Sequence, residues 1–168
     1  ETISENKEKV PEKKSKSGII VKGLYDVAVH FSKCCSPVPG DEIVGFVTRG
    51  RGVSIHRTDC INIINLSDME RERLIDAEWQ HDEESGSSGL YLAEIKVFCN
   101  NRTGLLVDIT RAFTEREIDI NAIHSKTSKQ GIATIDISFN TKGKAELTSV
   151  IDKLRQIDSI IDIERTTG

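Results

Sequence analysis

Long apolar runs are what this 168-residue chain most plainly lacks. None approaches the roughly 18 residues that a membrane-spanning helix needs, and no export-signal pattern marks its start. Those absences predict a cytoplasmic protein. A one-sided charge is missing too: Lys and Arg number 23 against 27 Asp and Glu, for a net −4. That balance does not advertise nucleic-acid binding by the chain as a whole, although a local basic surface remains open. An initial methionine is absent, and a chain opening on Glu1 reads as a piece of something longer. Four cysteines without an export signal fit a reducing compartment. There, close cysteines point to metal or reactivity rather than to a structural disulfide.

The charge that is present is segregated. Residues 1–17 carry five lysines against four glutamates with almost no apolar content, so 1–18 reads as a disordered linker. Residues 68–84 hold eight acids against two arginines. The stretch 30–60 is locally basic, with Lys33, Arg49, Arg51 and Arg57 against Asp41, Glu42 and Asp59, plus His30 and His56. From Tyr91 onward the signs balance. The Gly/Ser-rich segment ESGSSGL, residues 84–90, separates two patterned regions, whether as a natural loop or as an added linker. The expected domains are therefore 19–83 and 91–168.

In the first region, 19–24 and 27–31 read as short strands joined by a turn near Tyr25 and Asp26. Glu42–Thr48 and Val53–His56 read as a hairpin around Arg49-Gly50-Arg51-Gly52, whose glycines supply positive φ. Thr58 and Asp59 are candidate N-caps for a short helical stretch, and Leu74–Gln80 adds a strand. This β-rich unit has little core, and units of that size often rely on a metal or a partner.

The second region has clearer periods. Ala93, Ile95, Val97 and Cys99 alternate on a strand, and Leu105, Ile109, Ala112 and Phe113 follow at helical spacing. Ile118, Ile120 and Ala122 alternate, as do Ala133, Ile135, Ile137 and Phe139. Leu147, Val150, Ile151, Leu154 and Ile157 make a second helix stripe, and Ile161 and Ile163 a last strand. The fold class is α+β: a small β-rich domain followed by a ferredoxin-like βαββαβ domain, with two helices on one face of an antiparallel sheet.

The run KCCSPVPGDEIVGFVTRGRGVSIHRTDCINI resembles the conserved-cysteine (RIS, or zinc-finger) domain of long RelA/SpoT-type stringent-response enzymes. The stretches NRTGLLVDITRAF and IDINAIHSKT look like the ACT domain that ends the same proteins. Those enzymes make and degrade (p)ppGpp, and nothing here resembles their hydrolase or synthetase domains. The resemblance implies a regulatory region without chemistry of its own, transmitting amino-acid starvation or amino-acid binding to upstream catalytic domains.

Cys34, Cys35, His56 and Cys60 match the family's cysteine positions, a three-Cys, one-His set with the right chemistry for zinc. CxxC spacing is absent. Adjacent residues in an extended segment point to opposite sides, so both thiols reach one ion only through a tight turn, which SPVPG is placed to provide. The competing reading packs the three cysteines as small hydrophobes beneath the hairpin, with His56 bonding a turn carbonyl. A disulfide between sequence neighbours is strained. Reduced iron is a weaker alternative to zinc. Cys99 reads as core packing.

Family members dock on the ribosome beside uncharged transfer RNA, and the resemblance implies contact of Lys33, Arg49, Arg51, His56 and Arg57 with large-subunit ribosomal RNA. A glycine-flanked arginine turn suits phosphate contacts; a solvated hairpin tip is the plainer reading. ACT domains often bind amino acids at a dimer interface. Here that implies Asn101, Gly104, Leu105 and Leu106 at a helix N-terminus, Asn121 and Ile123 as the opposite wall, a branched-chain ligand and an ACT-mediated homodimer. The family's firm binders often carry aspartate where Asn101 stands. The NRTG loop also reads simply as a cap and turn. Other classes are a stand-alone amino-acid sensor, a zinc- or redox-responsive switch, and an enzyme centred on the cysteines. Against the enzyme, four ligands would fill a zinc's positions, and no histidine–acid arrangement marks Cys34 or Cys35 as a nucleophile.

Overall fold

The computed structural model describes residues 18–22, 27–80 and 89–166. The linker assigned to 1–18 (its last residue apart), the turn near Tyr25 and Asp26, and most of the 84–90 link lie outside the described residues. The first unit is a five-stranded sheet: β1 (Ile19–Val21), β2 (Val29–Phe31), β3 (Ile43–Val47), β4 (Val53–Arg57) and β5 (Leu74–Trp79). Its spatial order is β1-β5-β3-β4-β2. The expected hairpin forms its centre, with β3 and β4 antiparallel from Ile43 opposite Arg57 to Val47 opposite Val53. Strand β5 pairs with β3, and β1 with β5, both antiparallel; β2 lies parallel to β4. The strands of 19–24 and 27–31 are thus neighbours in the chain but opposite edges of the sheet.

Neither Thr58 nor Asp59 caps the short helix after β4. Helix α1 (Ile61–Ile64) starts from Cys60 with no side-chain cap. The Asp59 carboxylate is held instead by Arg57, whose Nε and Nη2 donate to it at 2.8 and 2.7 Å. A further single turn, α2 (Asp68–Arg71), has no apolar stripe and rests on a capping box. Ser67 Oγ accepts from the Glu70 N–H, and the Glu70 carboxylate accepts from the Ser67 N–H.

The second unit has the expected βαββαβ order: β6 (Tyr91–Asn100), α3 (Leu105–Thr114), β7 (Ile120–Thr127), β8 (Ile132–Thr141), α4 (Lys144–Arg155) and β9 (Ile160–Arg165). All pairs are antiparallel, in the order β7-β8-β6-β9. The alternating residues of β6 and β8 meet the stripes of both helices in one buried cluster, where Phe113 and Phe139 pack edge to face at 5.0 Å. Each fully buried Ile, Leu or Phe side chain contributes about 1.5–3 kcal/mol.

Two bulges break the expected alternation. Between Ile120 and Ala122 the register of β7 shifts, so Ala122 pairs with Ser138 on the open face and Ile123 with core-facing Ile137. Along β9 the shift beside Phe98 and Cys99 leaves Ile161 unpaired and 55% exposed, while Ile163 stays buried. An extra residue in one strand reverses the facing of the residues beyond it.

The two units share a junction. Val38 of the first is buried in the cluster of the second. The Asp41 carboxylate receives Arg165 Nη1 and Nη2 at 2.7 and 2.9 Å. Phe31, Trp79 and Tyr91 close the junction as three mutually packed rings.

Candidate functional site

The four sequence-nominated ligands converge. The turn that brings the adjacent cysteines together spans Ser32–Ser36, closed by the Ser36 N–H on the Ser32 carbonyl at 3.0 Å. It lies just before SPVPG, and Ser36, at φ 44°, leads the chain into that segment. On such a turn neighbours diverge by about 100° rather than 180°, so both thiols face one point. Strand β4 supplies His56, and the start of α1 supplies Cys60.

Cys34 Sγ stands 4.0 Å from Cys35 Sγ, 3.4 Å from Cys60 Sγ and 3.4 Å from His56 Nδ1; Cys35 Sγ is 3.8 Å from Nδ1. All four donor atoms lie within 4.8 Å of one another. With Zn–S near 2.3 Å and Zn–N near 2.05 Å, tetrahedral edges are about 3.8 and 3.5 Å. The donor set therefore fits a metal of zinc's size in spacing as well as in chemistry. The other histidine nitrogen, Nε2, meets Ser54 Oγ at 3.0 Å. Donation from Nε2 to that hydroxyl leaves the Nδ1 lone pair toward the sulfurs, the outer-shell arrangement that orients ligating histidines.

Electrostatics distinguish the thiols. Burial would raise Cys34, but hydrogen bonds with Ser32, Asn62, Cys60 and Cys35 outweigh it, and the thiol is lowered. Burial pushes Cys35 up to about 12 despite the Arg57 N–H on its sulfur. Burial also raises Cys60 and, with His30 nearby, lowers His56, keeping the imidazole neutral and able to ligate. Cys99 is buried apart from them, against the Ala133 carbonyl.

The basic residues do not form one face. Arg49 and Arg51 are exposed at the hairpin tip, where Gly50 and Gly52 take φ of 84° and 76°. Lys33 is exposed on the cysteine turn. Arg57 is 5% exposed and turned inward, donating to Asp59, the Cys35 carbonyl and the Thr166 carbonyl. His56 belongs to the thiol cluster. Arg73, which the sequence reading passed over, lies over the Phe46 ring at 4.5 Å beside the same hairpin.

The amino-acid set is divided as well. Gly104 caps α3 in the left-handed region at φ 79°, Leu105 is buried in the core, and Leu106 is exposed. Arg102 crosses this helix start to reach Asp108 at 2.7 Å. Asn121 pairs with Asn140. Ile123 is level with Ile137 and Ile95, six residues up β6 from Asn101 and about 20 Å away at strand rise. One chain does not bring the two walls together.

Residues 19–80 match the family model for the RelA/SpoT RIS domain, and residues 87–165 match that for the ACT domain. The GTP pyrophosphokinase of Escherichia coli K12 is 38% identical over 98% of this chain, and that of Streptomyces coelicolor is 39% identical over 90%. This chain belongs to the RelA/SpoT family. It spans about a fifth of the length of these relatives, 22% and 17% respectively. The ACT domain of the Chlorobium tepidum GTP pyrophosphokinase is 27% identical, matching 46% of this chain and 99% of its own with a TM-score of 0.42.

Among the described residues of the RIS domain, the sequence reading named the four residues of the thiol–imidazole cluster and missed the residues around them. Ser54 carried a usable signal, since positions i and i+2 on a strand share a face and put it beside His56. Asp41 and Arg165, 124 residues apart, carried none. Among the described residues, no helix of this RelA/SpoT region is long and apolar enough to cross a membrane.

Proposed function

We propose that this RIS–ACT region is a non-catalytic regulatory module. It docks on large-subunit ribosomal RNA near uncharged transfer RNA and relays amino-acid starvation to upstream (p)ppGpp synthetase and hydrolase domains. The whole protein is a GTP pyrophosphokinase in this reading. The observation that carries it is the exposed Arg49-Gly50-Arg51-Gly52 tip, whose arginines have no hydrogen-bond or ion-pair partner among the described residues. Unpaired guanidinium groups on a tight turn reach phosphates without losing an internal contact. Lys33 adds a third cation. Ribosome affinity should fall for Arg49→Ala with Arg51→Ala, and the slope of log affinity against log salt should shrink by about one per arginine. An unchanged slope would remove the hairpin from the interface.

Cys34, Cys35, His56 and Cys60 hold zinc in this account. When bound, the ion supplies a structural tie that substitutes for apolar core, with every ligand position filled by protein. Cys34 brings the lowered thiol, and Ser54 keeps His56 turned toward the sulfurs.

A second reading, amino-acid sensing by an ACT dimer, is favoured by the start of α3. The Cβ position of Gly104 meets nothing nearer than Arg102 Nη1 at 3.9 Å, so space stands open beside the first turn. A second copy has to supply the wall of Asn121 and Ile123, because one chain holds it at the other end of the sheet. Calorimetric titration with valine, isoleucine and leucine should show binding that Gly104→Val abolishes, on a particle of twice the monomer mass. A monomer silent to all three at millimolar concentration would leave docking as the module's work.

A further inference from the structure

The loop after the cysteines behaves unlike a loop. Cys35, Ser36, Pro37, Val38 and Pro39 are all buried, although connecting segments normally run over the surface. One end belongs to the thiol cluster and the other to the ACT domain. Cys35 Sγ accepts the Arg57 N–H at 3.3 Å, and the Cys35 carbonyl accepts Arg57 Nη1 at 3.2 Å. The same Nη1 reaches the Thr166 carbonyl at the end of the ACT sheet at 3.4 Å. One residue on, the Ser36 carbonyl accepts Arg165 Nη2 at 3.2 Å. Val38 is fully buried in the ACT core, and the Pro39 carbonyl accepts the first N–H of α4, from Lys144, at 2.7 Å. Asp41 completes the series: its carboxylate holds Arg165 and the Val38 N–H, and its carbonyl accepts the Trp79 indole N–H at 3.0 Å.

Only two residues separate Cys35 from Val38, and their backbone is restrained on both sides. A displacement of the cysteine turn therefore has little slack in which to be absorbed before it reaches the ACT core. We propose that Cys35–Asp41 is a latch linking the two domains: a divalent metal held by the cysteine–histidine cluster fixes the loop in its docked form and clamps the ACT domain onto the RIS domain. Loss of the metal frees the loop and loosens the junction. The latch rests on the reading of the cluster as a metal site. By linkage the effect is reciprocal, so breaking the junction has to weaken metal binding at ligands the change never touches.

Trp79, the chain's one tryptophan, reports the junction directly, stacked on Phe31 and edge-on to Tyr91. The test uses this chain with cobalt(II) as a spectroscopic probe of thiolate ligation. The unaltered chain is expected to bind one cobalt, with a shift in Trp79 emission and slower amide exchange over Val38–Asp41 and the start of α4. Arg165→Ala is expected to bind cobalt about tenfold more weakly and to lose the emission shift; Val38→Ala, which keeps the ion pair, should do so to a smaller extent. Circular dichroism verifies that both variants are folded. Cobalt bound equally by all three chains, with Trp79 indifferent to it, would overturn the latch and leave the metal site standing. No cobalt binding by the unaltered chain would overturn both.

Discussion

The RIS and ACT domains share a chain and a junction but differ in what holds them together. The ACT domain has one continuous buried cluster running from Ala93 to Ile163, fed by four strands and two helices. The RIS domain's described residues form two small clusters, one of Ile19, Val21, Val53 and Ile55, the other of Cys35, Cys60 and Ile63. Even with the half-buried apolar side chains packed on them, these clusters make a thinner core than the ACT domain's. The second cluster contains two of the candidate metal ligands. The domain with the smaller core thus places its thiols where the missing apolar contacts would be, and leans on its neighbour through Val38 and Asp41.

The sharpest way to break that comparison is to damage the larger core. Phe113→Ala removes a ring buried against Phe139 and should cost about 4 kcal/mol, read as a lower urea midpoint by circular dichroism. Because Val38 lies in the same cluster, Trp79 fluorescence should lose its midpoint in parallel. Trp79 unmoved while the helical signal shifts would make the domains independent, and the RIS domain self-sufficient.

Metal is the corresponding lever on the smaller domain. Zinc at about a hundredfold over its dissociation constant should stabilise the chain by about 2.7 kcal/mol, and a chelator should reverse the gain. Cys60→Ser should abolish it. Affinity should rise with pH across the neutral range, since burial raises the Cys35 and Cys60 thiols and their protons must leave on ligation. Melting temperatures indifferent to both zinc and chelator would return the cysteines to the role of small hydrophobes.

The same contrast governs how much the sequence disclosed. The ACT order was legible because five of its six elements, at 8–12 residues, are long enough to show a period. Its bulges at Asn121 and Ile161 were not, because an inserted residue changes facing without changing composition. In the RIS domain, three-residue strands such as Ile19–Val21 and Val29–Phe31 are too short to show a period or a partner. Cys34, Cys35, His56 and Cys60 were legible as residue types, but their turn was placed at SPVPG rather than at Ser32–Ser36. Arg57 looked like one more cation of the hairpin, and its burial depends on Asp59 and on an ACT carbonyl more than a hundred positions away.

The hairpin tip sharpens the comparison at smaller scale. A Cβ on Gly52 would meet the Ala28 carbonyl oxygen at 2.2 Å, whereas one on Gly50 meets nothing within 4 Å. Both have positive φ. Gly52→Ala should cost about 2–3 kcal/mol and Gly50→Ala about 1 kcal/mol, the second from backbone strain alone. Urea melts of the two variants measure the difference. Equal losses would mean that the tip is loose enough to move off Ala28, which would also weaken it as a platform for Arg49 and Arg51.

The smallest effect concerns how each domain starts its helices. In the ACT domain, α3 and α4 begin at Gly104 and Gly143 with no side-chain cap, and their buried faces hold them in place. The RIS helix α2 has four residues and no buried side chain, so it leans on the Ser67–Glu70 box and on Arg71, whose Nη2 donates to the Ile64 carbonyl at 2.8 Å. Ser67→Ala should cost about 1 kcal/mol, and a second change, Glu70→Ala, should add a smaller loss, because the backbone N–H at position 67 still donates to the Glu70 carboxylate once the hydroxyl is gone. The loss should appear as faster amide exchange through α2 and into Leu74, where β5 begins pairing with β3 at Phe46. A Ser67→Ala chain as stable and as protected as the unaltered one would show that packing sets even this four-residue helix, and the contrast between how the two domains start their helices would lose its support.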